Sequence, residues 1–185
     1  GTCEHCGQAQ HTHNWTYTAV GKSITATCAN TDQNCTDTEQ TIKVVAPTGS
    51  MVYDGQARTA SIEGTIDGVT ALAITYEGDR KSVGTHTATI KLGEAEAKVE
   101  FTITAATPTI AWENETATVT YTGSAAQITD PVVTLVNGEE YNGDISYSYT
   151  GTSSGNGLPT NAGTYAITAS IDAQGNYSAA SSTNK

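Results

Sequence analysis

One phenylalanine, one methionine and two tryptophans are all that the 185 residues hold of those bulky apolar types, and there are only four prolines. So lean a stock of large side chains argues against an enzyme built around a deep, enclosed pocket. Basic residues are also scarce. Eight Lys and Arg stand against nineteen Asp and Glu, a net charge of −11. Such a surface repels phosphate backbones and anionic lipid, which excludes nucleic acid and membrane surfaces as partners. No run of 18 apolar residues occurs, so no membrane insertion is expected within this stretch. The opening Gly1 to Gln8 has neither the basic nor the apolar region of a signal peptide. Both ends read as those of a piece of a longer chain, with any leader or anchor lying outside it.

Threonine, by contrast, occurs 34 times and glycine 18 times. β-branched residues favour strands and glycine favours turns, so the expected class is all-β. At roughly 100–150 residues per domain the length allows one domain or two small ones, and a module near 60 residues buries only a thin core.

All four cysteines and three of the four histidines precede residue 36. That shift in composition sets off a mini-domain over 1–43. Within it, His13 to Ala19 and Ser23 to Cys28 alternate as strands do, and Val20-Gly-Lys22 reads as the turn of a hairpin carrying Trp15 and Tyr17 against Ile24 and Ala26. The remainder is self-similar. Met51-Val-Tyr-Asp-Gly55 matches Val119-Thr-Tyr-Thr-Gly123, Ile74-Thr-Tyr-Glu-Gly78 matches the segment from Ile145 to Gly151, and Val83-Gly-Thr-His86 matches Ala162-Gly-Thr-Tyr165. Two β-modules follow, over 44–106 and 107–185, the second carrying about eleven extra residues, mostly in the loop from Gly151 to Pro159. Val99, Phe101 and Ile103 alternate inward in the first copy, and Tyr165, Ile167, Ala169 and Ile171 in the second. After Tyr177 the chain offers no large apolar residue, so the second module is expected to lack its last strand.

The Tyr-Asp-Gly at 53–55, the Tyr-Thr-Gly-Ser at 121–124, the Ala-Gly-Thr-Tyr at 162–165 and the Gly-Asn-Tyr-Ser-Ala-Ala at 175–180 together resemble the tandem YDG/MBG-type repeats of bacterial cell-surface, adhesin-like proteins. The resemblance covers residues 46–180. It implies two tandem Ig-like antiparallel β-sandwich modules, extracellular, beside neighbouring repeats of the parent chain. The Cys/His segment in front resembles a small zinc-ribbon-like hairpin found before such repeats. A β-grasp-like module is the alternative fold.

Cys3 and Cys6 have the spacing with which two thiolates grip one ion, and Cys28 and Cys35 supply a second pair, so a structural zinc is expected. With the hairpin turning at Gly21, positions summing to about 42 face each other. That places Cys28 opposite Asn14, Cys35 opposite Gly7, and His11 and His13 near Cys28 as substitute ligands. Two disulfides, with no zinc, are the alternative. Four protein ligands would leave no open position for catalysis. His86 reads as a core or boundary residue in a strand, and Glu94/Glu96 and Glu139-Glu140 as solvated charges beside turns. No nucleophile elbow, phosphate loop or metalloprotease helix is present. No catalytic residue is assigned and the chain is not read as an enzyme. Tyr147 and Tyr149 are expected in the core, which leaves Trp112 and Tyr141 as the candidates for binding a ligand. The expected function is adhesion or spacing on a bacterial surface. A module binding carbohydrate or a host protein is second, and a hydrolase fragment third.

Overall fold

The computed structural model describes residues 13–29, 38–114, 116–139 and 141–184. These fold as strands and turns. Among them the sole helical element is a single 3-10 turn, Val136–Gly138, which leaves nothing for a β-grasp sheet to wrap. The chain divides into two units. Unit 1 comprises Gly1–Met51 and Ala57–Ile103, and unit 2 comprises Val52–Gln56 and Thr104–Lys185.

In unit 1, β1 (Trp15–Val20), β2 (Ser23–Cys28), β3 (Glu39–Val45) and β4 (Ser61–Gly64) form an antiparallel sheet in chain order. A second sheet contains β5 (Ile74–Glu77), β6 (Gly84–Leu92) and β7 (Ala95–Ile103). β7 lies against β1, β2 and β3, so the two sheets face each other. The core between them follows from period-2 alternation: Ile24, Ala26, Ile42 and Val44 from one sheet, and Ala88, Ile90, Ala97, Phe101 and Ile103 from the other, are all buried.

The hairpin turns on Gly21-Lys22, with Gly21 at φ +59°, and its register is one residue off the expected one. Positions sum to 43, so Cys28 faces Trp15 and not Asn14. A two-residue turn pairs Val20 directly with Ser23, whereas the three-residue reading centred on Gly21 shifted every pair. The pairing of Cys35 with Gly7, and the placing of His11, lie outside the described residues. A boundary at residue 43 cuts through β3, which joins the hairpin to β4. The hairpin is pinned to its unit at Asp67, whose carbonyl accepts from Trp15 Nε1 at 3.0 Å. The Asp67 carboxylate accepts from Gln40 Nε2 at 3.0 Å and its N–H donates to Gln40 Oε1 at 2.7 Å.

Unit 2 repeats part of this plan. β8 (Thr109–Ala111) pairs with β9 (Val132–Thr134) as β3 pairs with β4. β10 (Ser146–Gly151), β12 (Tyr165–Ile171) and β13 (Ala180–Asn184) form a sheet in the order of β5, β6 and β7. The extra residues of the second copy supply β11 (Gly155–Asn156) on the outer edge of β10. The expected missing strand is present: β13 pairs with β12 from Ile171↔Ala180 to Ile167↔Asn184. It escaped the hydrophobic pattern because Ala180, Ser182 and Asn184 take its half-buried positions. Backbone pairing and the Thr168–Thr183 hydroxyl pair at 2.8 Å hold it in place of large side chains.

The repeat is visible at atomic level in the strand that opens each sheet's centre. His86 Nε2 meets the carbonyl of Ser82 at 2.8 Å, and the Tyr165 hydroxyl donates to the carbonyl of Asn161 at 3.0 Å, each reaching four residues back. His86 is buried against Phe101, ring centroids 5.5 Å apart, as its reading as a core residue expects. Gly78, at φ +92°, leaves room for its ring, since a Cβ there would run into Nδ1.

Each unit contains one tryptophan among its described residues, Trp15 or Trp112, so each can be followed separately by fluorescence after the other is replaced by phenylalanine. Ile90→Ala is expected to destabilise unit 1, and Ile171→Ala unit 2, by about 2–5 kcal/mol, the usual cost of emptying a buried isoleucine site. In urea titrations each change should move only its own unit's transition.

Candidate functional site

The four cysteines do not stand together among the described residues, since Cys3, Cys6 and Cys35 lie outside them. Cys28 ends β2 half-buried. Its N–H donates to the carbonyl of Thr38 at 2.9 Å. His13 stacks on Trp15, centroids 4.3 Å apart, and its Nε2 is 3.8 Å from Asp67. The histidine therefore faces an indole and a carboxylate.

Trp112 and Tyr141 both pack against the cluster of Ile110, Ala169 and Ile171, yet they line different clefts of unit 2. Trp112 lies in a cleft of about 420 Å³ with Val119, Ile128, Pro159, Tyr165 and Ile167. Its Nε1 is buried without a hydrogen-bond partner. Tyr141 lines a smaller cleft of about 260 Å³ and donates its hydroxyl to the carbonyl of Asp144 at 3.0 Å. The two rings do not form one platform. Tyr147 sits in the core region as expected, its hydroxyl donating to Asp130 Oδ1 at 2.5 Å, and Tyr149 meets Tyr165 edge-on at 5.3 Å.

The most organised polar cluster of unit 2 escaped sequence reasoning. The Gly175-Asn176 turn, closed by two Gln174–Tyr177 backbone bonds of 3.0 Å, presents Tyr177, and Ser178 N–H anchors to the carbonyl of Ala106 at 2.9 Å. Tyr53, only 7% exposed, approaches Tyr177 edge-on at 5.5 Å. Both hydroxyls donate to the same carboxylate, Tyr53 to Glu139 Oε1 at 3.1 Å and Tyr177 to Oε2 at 2.6 Å. Tyr53 enters as a strand would: its N–H donates to the carbonyl of Thr104 at 2.8 Å, and Val52 bridges Thr104 in parallel. Glu139, exposed beside the Gly138 turn as expected, also accepts from both hydroxyls. The repeated Tyr-x-Gly and the Gly-Asn-Tyr marked two of its partners, but no local pattern links residues 86 apart.

Burial first, then the hydrogen bond to the Glu139 carboxylate, pushes the Tyr177 phenol well above its ordinary value of 10.0. Burial and Asp130 do the same for Tyr147. At the opposite edge of the scale, the Ser82 hydroxyl, followed by the Ser82 and Lys81 N–H groups, holds Asp79 well below the usual carboxylate range and shapes the turn before β6.

A phenol whose folded value is raised contributes stability that is complete below the unfolded value near 10 and is lost as pH rises through the folded one. Unit 2 is therefore expected to lose stability above about pH 10. In tyrosinate absorbance titrations Tyr177 and Tyr147 should ionise last. Tyr177→Phe should remove part of that late phase and weaken the alkaline drop in stability.

Comparison of the chain with protein-family models, with curated proteins and with solved structures finds no match in any of the three.

Proposed function

We propose that the chain is a non-enzymatic module of a bacterial cell-surface protein, extracellular, acting in adhesion or as a stalk or spacer, built from Ig-like repeats of the YDG/MBG type. One observation carries this reading: Val52–Gln56, which belongs by sequence to the first copy, is part of unit 2. The chain accordingly passes between the units three times, at 51/52, 56/57 and 103/104. A chain threaded in this way suits a stalk, with neighbouring repeats of the parent chain as its constant partners.

The test is mechanical. Pulled from its two ends, the chain with Tyr53→Ala is expected to unfold unit 2 at lower force than the native chain, with unit 1 unchanged. Equal forces would remove the support for a stalk.

A second reading, a module that binds carbohydrate or a host protein, is favoured by the open cleft holding Trp112 and Tyr165, since aromatic rings in a groove suit sugar faces. On glycan and extracellular-matrix arrays the spacer reading expects background signal. Saturable binding abolished by Trp112→Ala would put the binding module first. Screens for esterase, glycosidase and peptidase activity are expected to stay at background.

The cysteines are proposed to hold one structural zinc, with Cys28 at the end of β2, hydrogen-bonded to Thr38, as one of its ligands. Native mass spectrometry should show one bound zinc, lost on chelation. A mass lower by four hydrogens with no metal would mean two disulfides instead.

A further inference from the structure

The two Tyr-x-Gly motifs share a left-handed glycine and have opposite surroundings. Gly55 stands at φ +76° and Gly123 at φ +77°, each two residues after its tyrosine. Both also lie in the same topological place, the connection between paired antiparallel strands: Val52–Gln56 between β3 and β4, and 119–123 between β8 and β9. Yet Tyr53 is 7% exposed and Tyr121 is 62% exposed, with Val119 beside it at 48%. Chemistry does not separate them. Val52, which Thr120 replaces, is 45% exposed even when docked, so its side chain is not what the docking requires. Asp54 Oδ1 accepts from Gln56 N–H at 2.9 Å, a turn contact that the hydroxyl of Thr122 is able to imitate.

We propose that residues 119–123 are a docking segment for the following module of the same kind, entering it as Val52–Gln56 enters unit 2. The occupied site shows what the receiving module must offer. It needs a free backbone edge equivalent to Thr104, a tyrosine equivalent to Tyr177 for edge-on contact, and a carboxylate equivalent to Glu139 for the hydroxyl. Main-chain pairing supplies attraction and the tyrosine pocket supplies selection, as in other strand-addition interfaces. Unit 2's own site is filled by Tyr53, which leaves Tyr121 for the next repeat in line. The partner is a second copy of this module, and each repeat would be closed by a segment of the one before it. The inference rests on the repeat reading above, though not on the stalk role.

The experiment uses the full chain with Tyr53→Ala, which vacates the site, and two synthetic peptides, residues 49–57 and 116–126. Both peptides are expected to raise the melting temperature of unit 2 in a saturable manner, since a ligand that binds only the folded state stabilises it. The 116–126 peptide with Tyr121→Ala should have no effect. Should Tyr53→Ala leave unit 2 unfolded, the same comparison is read as recovery of near-ultraviolet tyrosine dichroism on adding peptide. Sedimentation gives a second measure: the Tyr53→Ala chain should self-associate through Tyr121, and the Tyr53→Ala, Tyr121→Ala chain should not. Rescue by 49–57 but not by 116–126 would overturn the proposal and the equivalence of the two repeats. Rescue by neither, with no difference in association between the single and double variants, would overturn the proposal alone. Both outcomes are independent of the pulling and array measurements that test the stalk role.

Discussion

Burial of alternating small and branched side chains between facing sheets supports every other feature of unit 1, because the chain has so few large apolar residues to spend. Ala26, Ala88 and Ala97 are fully buried beside Ile24, Val44 and Ile90. An alanine core lets two sheets approach closely and rewards exact register, since a slip of one residue would turn the whole inner row to solvent. Threonine then becomes the natural outer residue. Its branched side chain suits a strand, and its hydroxyl finds a partner across the ladder, as Thr25 does with Thr41 and Thr85 with Thr102, each at 3.2 Å.

Unit 2 solves the same shortage differently. One buried aliphatic cluster is Ile110, Ala169 and Ile171, and partly buried aromatic rings, Trp112, Tyr141 and Tyr147, pack against it. Tyrosines bring hydroxyls that need acceptors once removed from water. Asp130 serves Tyr147, and Glu139 serves Tyr177 and Tyr53 together. The acidic composition thus has a second use: exposed carboxylates supply acceptors for buried and half-buried phenols.

In unit 2 the segment Val52–Gln56 is held by three features distant in sequence, the backbone edge at Thr104, the Tyr177 ring and the Glu139 carboxylate. Insertions such as β11 are absorbed at the opposite edge of the sheet, on β10, where they leave the Tyr177 turn untouched.

Much of the local structure was legible in the amino-acid order. Period-2 alternation announced β6, β7 and β12 with their inward residues, the Gly21 turn announced the hairpin, and three motif pairs in constant order announced two copies of one plan. Each of those signals is local, because side-chain period and turn chemistry are properties of neighbouring residues. What tertiary structure alone decided involves partners distant in sequence. The hairpin joins the sheet of the first module because β3, which pairs with β2, also pairs with β4, and because Trp15 finds Asp67. β13 exists because β12 has an edge to pair, though its own residues carry no hydrophobic pattern. Tyr53 and Tyr121 are alike in motif, yet Tyr53 is buried against Tyr177 and Glu139 while Tyr121 is exposed, a difference that depends on partners distant in sequence and so is settled only when the chain has folded.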